Sequence, residues 1–165
     1  MLRTLSHVSL ILIFGVSNPT NAQARPYGLG CKGPSNGPPD LSANGVPLTG
    51  SSVSLRLNTA IANAPCLLLI GASNNSWGGL RLPFDLSTIG QPGCNLEVSL
   101  DMLIPLTADT QGQVNLSLTM PPNPGLRGYL QGAVFAQSST STLGTSNGLE
   151  ITSVGAHSPL SVMAL

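Results

Sequence analysis

Two short motifs in this chain have the spacing of sites that carry out chemistry in other folds. The first is G-x-G-x-x-G, formed by Gly28, Gly30 and Gly33. In dinucleotide-binding proteins this motif follows a strand and opens a helix, whose N-terminal N–H groups bind the pyrophosphate. Here Pro34 follows the motif at once, and Pro38 comes four residues later. Because neither a preceding strand nor a following helix is predicted, we do not expect a nucleotide site.

The second motif is G-x-S-x-G over residues 144–148, which places Ser146 where a hydrolase has its nucleophile. A nucleophile elbow needs a strand, a sharp turn and a helix, with a histidine and a carboxylate that reach the serine. The candidates are His157 and Glu150, and all three residues would have to converge from one short hairpin arm. We interpret the segment instead as a polar Ser-Asn-Gly turn, in which the Asn-Gly pair supplies positive φ angles.

Acidic side chains offer a third kind of chemistry. Asp85, Glu97 and Asp101 are spaced closely enough to meet as the paired carboxylates of a glycosidase, but nothing in the sequence marks one as buried with a raised pKa. Asp85, Asp101 or Asp109 could bind calcium, although no EF-hand or glycine-aspartate repeat is present. Zinc is disfavoured because the histidines and cysteines lack ligand spacing. We therefore predict no catalytic residue, no cofactor and no metal.

One aromatic side chain suggests a ligand site. Trp77 lies in a Ser-Asn-Asn-Ser-Trp-Gly-Gly stretch, where it could stack on a sugar ring with Asn74, Asn75 and Arg81 as hydrogen-bonding neighbours. In the alternative, which we favour, Trp77 folds back over one end of the domain. Aromatic residues make up only 4% of the chain, so a large ring is scarce core material.

Three cysteines allow three single disulfide pairings, each of which leaves one thiol over. Cys31 and Cys94 have similar polar surroundings, GLGCKG and QPGCNL, with loop-forming residues beside them. Cys66 instead opens the apolar run CLLLIG, and a free buried cysteine behaves as a small hydrophobic residue. We therefore favour a disulfide between Cys31 and Cys94, with Cys66 as the remaining thiol in the core.

The first 24 residues have the organisation of a secretory signal peptide, with a short helical leader that is removed on export. Arg3 gives a positive start, residues 8–16 are mostly apolar, and Ala22-Gln23-Ala24 predicts cleavage before Arg25. The apolar run is too short to span a bilayer, which needs about 20 residues. We predict no membrane span in the mature chain. We expect a secreted or cell-surface protein, with the periplasm as the alternative, in a compartment where a disulfide can form.

Composition excludes several classes of protein. Of the 165 residues only 7% are charged, and six Lys and Arg balance six Asp and Glu. A nucleic-acid binder needs clustered basic residues that neutralise phosphates, and a helical bundle would be rich in Ala, Glu, Lys and Arg. Since 41% of the residues are hydrophobic, the chain can form a core, which argues against charge-driven disorder.

Alternating apolar residues predict seven or eight short strands and no amphipathic helix after the leader. The clearest alternations cover 53–57 and 114–120, and the continuous apolar run at 66–70 is typical of a central strand covered on both faces. We predict an all-β fold, an antiparallel β-sandwich of the immunoglobulin-like or jelly-roll-like kind, with a closed barrel as the alternative. The expected organisation is a signal peptide at 1–24, an irregular N-terminal arm at 25–50, the sandwich at 51–154 and a frayed tail at 155–165.

Details of the later strands complete this expectation. A strand at 129–137 contains Gly132 at a position that suggests a β-bulge, and a flexible polar loop follows at 138–148. The last strand is then expected to begin at Leu149. Asn115 opens an Asn-Leu-Ser glycosylation acceptor pattern and is expected on the solvent face of its strand.

Several short motifs occur in a distinctive order within residues 45–154, namely SNNSWGG, LPFD, PGC and SNGLEIT. This succession resembles a domain common in exported bacterial proteins, often at the C-terminal end of longer secreted chains. The resemblance implies a β-sandwich and export, and it carries over no catalytic residue because no activity is assigned to that domain. Cys66 departs from the pattern, where a plain apolar or small residue would serve.

We therefore expect a secreted, non-catalytic β-sandwich module with a structural or interaction role at the cell surface or outside it. Candidate partners are polysaccharide and other cell-surface proteins, and no nucleic acid is expected. Two alternatives stay open: a carbohydrate-binding module that uses the Trp77 loop, and a small secreted hydrolase.

Overall fold

The structure, a computed structural model, describes residues 24–33, 37–135 and 143–155, and these form an all-β fold. Residues 1–23 of the predicted signal peptide and the predicted tail beyond residue 155 lie outside the described residues. A 3-10 helix covers Leu86–Ile89. The strands are β1 (Ala24–Tyr27), β2 (Asp40–Asn44), β3 (Ser52–Asn58), β4 (Pro65–Gly71), β5 (Ser76–Trp77), β6 (Leu80–Arg81), β7 (Phe84–Asp85), β8 (Asn95–Leu96), β9 (Met102–Thr107), β10 (Gln113–Thr119), β11 (Arg127–Phe135) and β12 (Leu143–Thr152).

Two antiparallel sheets form the body of the domain. The larger sheet has the strand order β1-β12-β11-β4-β9, and the smaller sheet has the order β10-β3-β2. Two short hairpins, β5-β6 and β7-β8, lie outside them. The predicted antiparallel, sandwich-like all-β fold is confirmed, but the described residues contain twelve short strands rather than seven or eight.

A central core lies between the two sheets. In β3, Val53, Leu55 and Leu57 are buried while the residues between them are exposed, as their alternation predicts. They pack against side chains of the larger sheet, among them Leu68 and Leu130. Each fully buried leucine contributes about 2 kcal/mol of transfer free energy, so this contact is the main apolar contribution that holds the sheets together.

The opposite face of the larger sheet is also covered. Residues 77–100 cross it and form an outer cluster with side chains of β4 and β11, and this explains why six consecutive residues of β11 are buried. β4 lies between β11 and β9, so the prediction of a central strand covered on both faces is confirmed. The outer cluster consists of Cys31, Leu69, Leu82, Leu86, Cys94, Leu96, Val98, Tyr129 and Ala133.

The predicted bulge at Gly132 is confirmed, because the β11–β12 register shifts between Gln131 and Ala133. The predicted polar loop at 138–148 is wrong for its second half, since β12 already begins at Leu143 and includes the supposed Ser-Asn-Gly turn. Thr145 and Ser146 of this strand are buried and hydrogen-bonded, so polar residues that are typical of a turn are here part of a buried strand. Residues 136–142 lie outside the described part of the chain.

Three further segments differ from the sequence expectation. β2 and most of β1 lie within 25–50, where we expected an irregular arm, and they acquire strand geometry by pairing with β3 and β12. β9 was not expected and contains Pro105. The alternation through Leu96, Val98 and Leu100 forms only the short strand β8. No helix among residues 24–33, 37–135 and 143–155 has the length and apolar character needed to cross a membrane.

Candidate functional site

Trp77 lies on the small hairpin formed by β5 and β6. The turn consists of Gly78 and Gly79, whose φ angles of 53° and 86° are in the left-handed region that glycine adopts without strain. The Trp77 ring is half-buried and packs against the outer cluster. The ring therefore covers apolar side chains, but it does so on the outer face of the larger sheet and not at the end of the sandwich that the favoured alternative expected.

The predicted ligand residues do not project from one face of this hairpin. Trp77 is paired with Leu80, and Ser76 is paired with Arg81. Directly opposite residues of an antiparallel pair project to the same side, and successive residues alternate. Trp77 and Arg81 therefore leave the hairpin on opposite sides, and Arg81 is exposed.

The other two predicted ligand residues lie in a loop that is fastened to the fold. Asn74 is half-buried and Asn75 is exposed. Ser73 Oγ accepts the main-chain N–H groups of Asn75 and Ser76 at 3.1 and 3.2 Å. The N–H of Ser73 in turn donates to Ser99 Oγ at 3.0 Å. The Ser73 hydroxyl thus holds the turn that contains Asn74 and Asn75, and the Ser99 hydroxyl attaches this turn to the neighbouring segment.

Two of the aspartates considered for catalysis also hold loops. Asp101 Oδ2 accepts the N–H of Ala72 at 2.6 Å and the hydroxyl of Ser99 at 2.7 Å. Asp85 Oδ1 accepts the N–H of Ser87 at 2.8 Å at the start of the 3-10 helix. These hydrogen bonds favour the charged carboxylates and lower the pKa of both groups, which is opposite to what a general acid needs.

Asp109, the third calcium candidate, closes the connection between β9 and β10. Its Oδ1 accepts the N–H groups of Gln111 and Gln113 at 2.8 and 2.9 Å. Among the described residues no group of three or more His, Cys, Asp or Glu side chains comes together in an arrangement that could hold a metal ion.

Ser146, the candidate nucleophile, is fully buried in β12. Its Oγ accepts the N–H of Gly132 at 2.8 Å and donates to the carbonyl of the following residue at 2.7 Å. Glu150, the candidate acid, instead forms an ion pair with Arg127 at 3.1 Å. His157 lies outside the described residues. The serine hydroxyl therefore satisfies the main chain at the bulge.

Gln131 lies beside this bulge and is also fully buried. Its Oε1 accepts the N–H of Glu97 at 2.9 Å, and its Nε2 donates to the carbonyls of Asn95 and Ser146, both at 3.0 Å. One side chain thus ties the segment after β8 to β11 and β12. We did not single out this residue from the sequence, where it is one glutamine within an expected strand.

Asn147 connects the two sheets. Its Oδ1 accepts the N–H of Leu41 at 2.9 Å, and its Nδ2 donates to the carbonyl of Leu41 at 3.0 Å. The Asn147 amide therefore forms the two main-chain hydrogen bonds with Leu41 that a neighbouring strand would form at the outer edge of β2. Among the described residues, no buried side-chain nitrogen or oxygen lacks a hydrogen-bond partner.

Glu97 is the buried carboxyl of this region, with 3% of its surface exposed. Burial raises the pKa of Glu97, while hydrogen bonds from the Leu29 main chain and the Asn95 side chain act in the opposite direction. The Tyr27 hydroxyl donates to the Glu97 carbonyl at 3.2 Å, and burial also raises the pKa of Tyr27. The Glu97 carboxyl lies against Gly28, where a Cβ atom would come within 2.5 Å of it.

The disulfide joins Cys31 and Cys94, as predicted, across 63 residues of sequence. It lies in the outer cluster, and Cys31 Sγ accepts the N–H of Thr145 at 3.2 Å. Cys66 is a free, buried thiol of the central core, which confirms that prediction, and burial raises its pKa. A raised pKa disfavours the thiolate, which is the reactive form.

A shallow concavity of about 330 Å³ lies on the outer face of the smaller sheet. Polar side chains of neighbouring strands meet there in rows, with Ser42, Arg56 and Asn115 in one row and Asn44 beside Ser54 in the next. Asn115 is exposed on this face, as the sequence predicts. The surface is open and carries one charged group in its lining, which distinguishes it from an enclosed catalytic pocket.

Comparisons of the chain with models of protein families, with curated proteins and with solved structures found no match.

Proposed function

We propose that this chain is a non-catalytic β-sandwich module that acts outside the cytosol, secreted or at the cell surface, in a structural or interaction role. Polysaccharide and other cell-surface proteins are the candidate partners.

The proposal rests on one observation: the candidate reactive side chains form hydrogen bonds with the main chain of the fold. Ser146, Asp85, Asp101 and Asp109 each accept main-chain N–H groups of the fold. A nucleophile or general acid must instead reach a substrate in a cleft. Side chains that already accept main-chain hydrogen bonds stabilise loops and strands, and this supports a non-catalytic role for the chain.

The disulfide supports the proposed compartment. A buried Cys31–Cys94 bond is typical of proteins that fold in an oxidising space, because cytosolic thiols are kept reduced. The signal peptide predicted from the sequence would deliver the chain to such a space.

Export is tested by expressing the full chain in a secretion-competent bacterium and analysing the protein recovered outside the cytosol. We expect a mass that corresponds to cleavage before Arg25 and, after denaturation without reductant, one thiol that reacts with an alkylating reagent, at Cys66. Recovery from the cytosol with the leader intact and three reactive thiols would contradict the proposed compartment.

The absence of catalysis is tested on the same preparation with a fluorophosphonate probe and a broad panel of esterase and glycosidase substrates. We expect no labelled serine and no turnover. A glycan array run with the wild type and with Trp77→Ala tests the carbohydrate alternative. Binding by the wild type that the variant loses would assign a sugar-binding role, and serine labelling or turnover would refute the non-catalytic role.

A further inference from the structure

The two sheets end in four edge strands, β1, β9, β2 and β10. An edge strand presents unpaired N–H and C=O groups to which a further strand can pair, and folds usually block such edges with proline, charge or a covering element. Three of these four edges are blocked.

β9 is blocked by proline. Ala108 N–H donates to Ala64 O in the continuation of the β9–β4 register, so residues of β9 with even numbers bond to β4. Pro105 therefore lies at a position that faces away from β4, where an incoming strand would need its N–H. The outer edge of β9 therefore lacks a main-chain N–H donor at its centre.

The edges at β1 and β2 are blocked by other means. β1 is four residues long and contains Arg25 and Pro26. In β2 the outward N–H and C=O groups of Leu41 are occupied by the Asn147 side chain, and the strand begins with the charged Asp40.

β10 carries neither proline nor charge, and its sequence is QVNLSLT. Thr59 N–H donates to Gly112 O and Met120 N–H donates to Ser51 O, both in the β10–β3 register. Even-numbered residues thus bond to β3. The main-chain groups of Asn115, Ser117 and Thr119 point outward from the sheet.

An apolar groove of about 180 Å³ lies beside the same edge, at the end of the sandwich where β10 finishes. It is lined by core side chains, including Ile70, Leu118 and Leu130, and by Leu126, which is 50% exposed. Leu116 and Leu118, on the inner face of β10, are only half-buried. The β10 edge, which can accept a further strand, therefore lies next to apolar surface that the added strand would cover.

We propose that two copies of this chain pair through β10, antiparallel about a two-fold axis, so that the two three-stranded sheets become one six-stranded sheet. With Ser117 opposite itself, Asn115 of each copy lies opposite Thr119 of the other, and the outward main-chain groups of all three residues are satisfied. Leu116 of one copy then meets Leu118 of the other on the inner face, beside the apolar groove.

The charge of the β10 edge, like its register, permits pairing with a second copy. No residue of β10 is charged, so the symmetric pairing brings no like charges together across the axis. Arg56 lies one strand farther in and is paired with Asn115, so the two copies of this side chain are separated by three strand spacings, roughly 14 Å, across the sheet and by a further four residues along it. This inference does not depend on the proposed function.

The test is sedimentation velocity of the purified, disulfide-intact full chain over a wide concentration range. We expect a reversible monomer–dimer equilibrium. Ser117→Pro removes an outward N–H without removing a bond to β3, and Ser117→Lys places two like charges at the axis. Each variant should raise the dimer dissociation constant at least about tenfold.

Two variants serve as controls. Ser117→Thr keeps the N–H and the neutral face, and Ser54→Lys places the same charge on the neighbouring, central strand. Both should dimerise like the wild type, and circular dichroism should show that all variants are folded. A wild type that is monomeric at every concentration, or a dimer that survives Ser117→Pro and Ser117→Lys in folded form, would overturn the proposal.

Discussion

Short polar side chains hold this domain together at the places where its strands stop or bulge. Asp101 and Ser73 fasten the loop after β4, Ser146 satisfies the bulge of β11, and Gln131 bridges three segments. In a chain with few charged residues and many loops, such side chains replace the water that would otherwise solvate turning main chain. Residue types that suggest chemistry in the sequence are therefore structural here.

Gln131 should be the most costly polar side chain to remove. In Gln131→Ala the N–H of Glu97 and the carbonyl of Asn95 lose their buried partner, and a cavity remains. We expect the free energy of unfolding in urea to fall by about 3 kcal/mol. Gln111→Ala, at an exposed loop position, is the matched control and should change it by less than about 0.5 kcal/mol. Equal stabilities of the two variants would show that the bridge contributes nothing.

Glu97 should make the domain less stable as the pH rises. Its folded-state pKa lies above the ordinary value of 4.5, so the folded state holds the proton more tightly than the unfolded state. This favours folding below about pH 4.5, and the benefit is lost as the pH rises towards the folded-state pKa. We expect Glu97→Gln, which cannot ionise, to remove this decline and to gain stability over the wild type towards neutral pH in thermal unfolding. A stability difference that does not vary with pH would contradict the role of this carboxyl.

At the scale of strands, close approach between elements depends on particular glycines. The ring of Tyr27 lies over Gly148 of β12, where a Cβ atom would come within 2.8 Å of three ring carbons. The ring also meets Tyr129 edge-on, with centroids 6.1 Å apart, so it cannot move away without losing that contact. β1 can pair with β12 here because position 148 has no side chain.

Gly148→Ala should therefore destabilise the domain by about 1–3 kcal/mol through overpacking, measured by chemical denaturation. Gly128→Ala is the control, because Gly128 also lies in a strand but a Cβ atom there meets nothing within 4 Å. The control should be neutral or slightly stabilising, since alanine reduces the freedom of the unfolded chain. Similar losses from both substitutions would mean that the contact with Tyr27 is not the cause.

β3, β4 and β10 were predictable because an alternating or continuous apolar pattern marks them, whereas strands formed by polar or proline-containing segments were not. β3 and β10 show their alternation because only one side of each is buried. β12 carries the buried Thr145 and Ser146 and the half-buried Asn147, and its sequence resembles a loop because burial of these groups depends on partners far along the chain. β1 and β9 likewise exist through pairing with β12 and β4, which local composition does not reveal.

At the scale of the whole molecule, the larger sheet is the middle of three layers. The smaller sheet covers one face, and residues 77–100 together with Tyr27 and Cys31 cover the other. The Cys31–Cys94 disulfide joins the arm to that outer layer. In the described part of the chain this layer consists of short strands and a 3-10 helix, so the covalent bond limits how far its segments can separate.

Loss of the disulfide should therefore weaken the outer layer and lower overall stability. Closing a loop of 63 residues corresponds to about 4 kcal/mol in the chain-entropy account. We expect the double variant Cys31→Ser/Cys94→Ser to unfold at a temperature lower by roughly 10 °C in calorimetry. Reductant should lower the unfolding temperature of the wild type but not that of the double variant, because Cys66 forms no disulfide. An effect of reductant on the double variant would contradict this assignment.

Apolar periodicity and the polarity around each cysteine are local properties, and from them the amino-acid sequence predicted the all-β class, the central strand at Cys66, the favoured disulfide partners and the free thiol. It did not determine β1, β9 or the start of β12, nor that Ser146 and the aspartates bind main chain. Those features depend on which segments meet across the sheets, and a polar side chain is a ligand, a nucleophile or a structural tie according to the groups that the tertiary structure places against it.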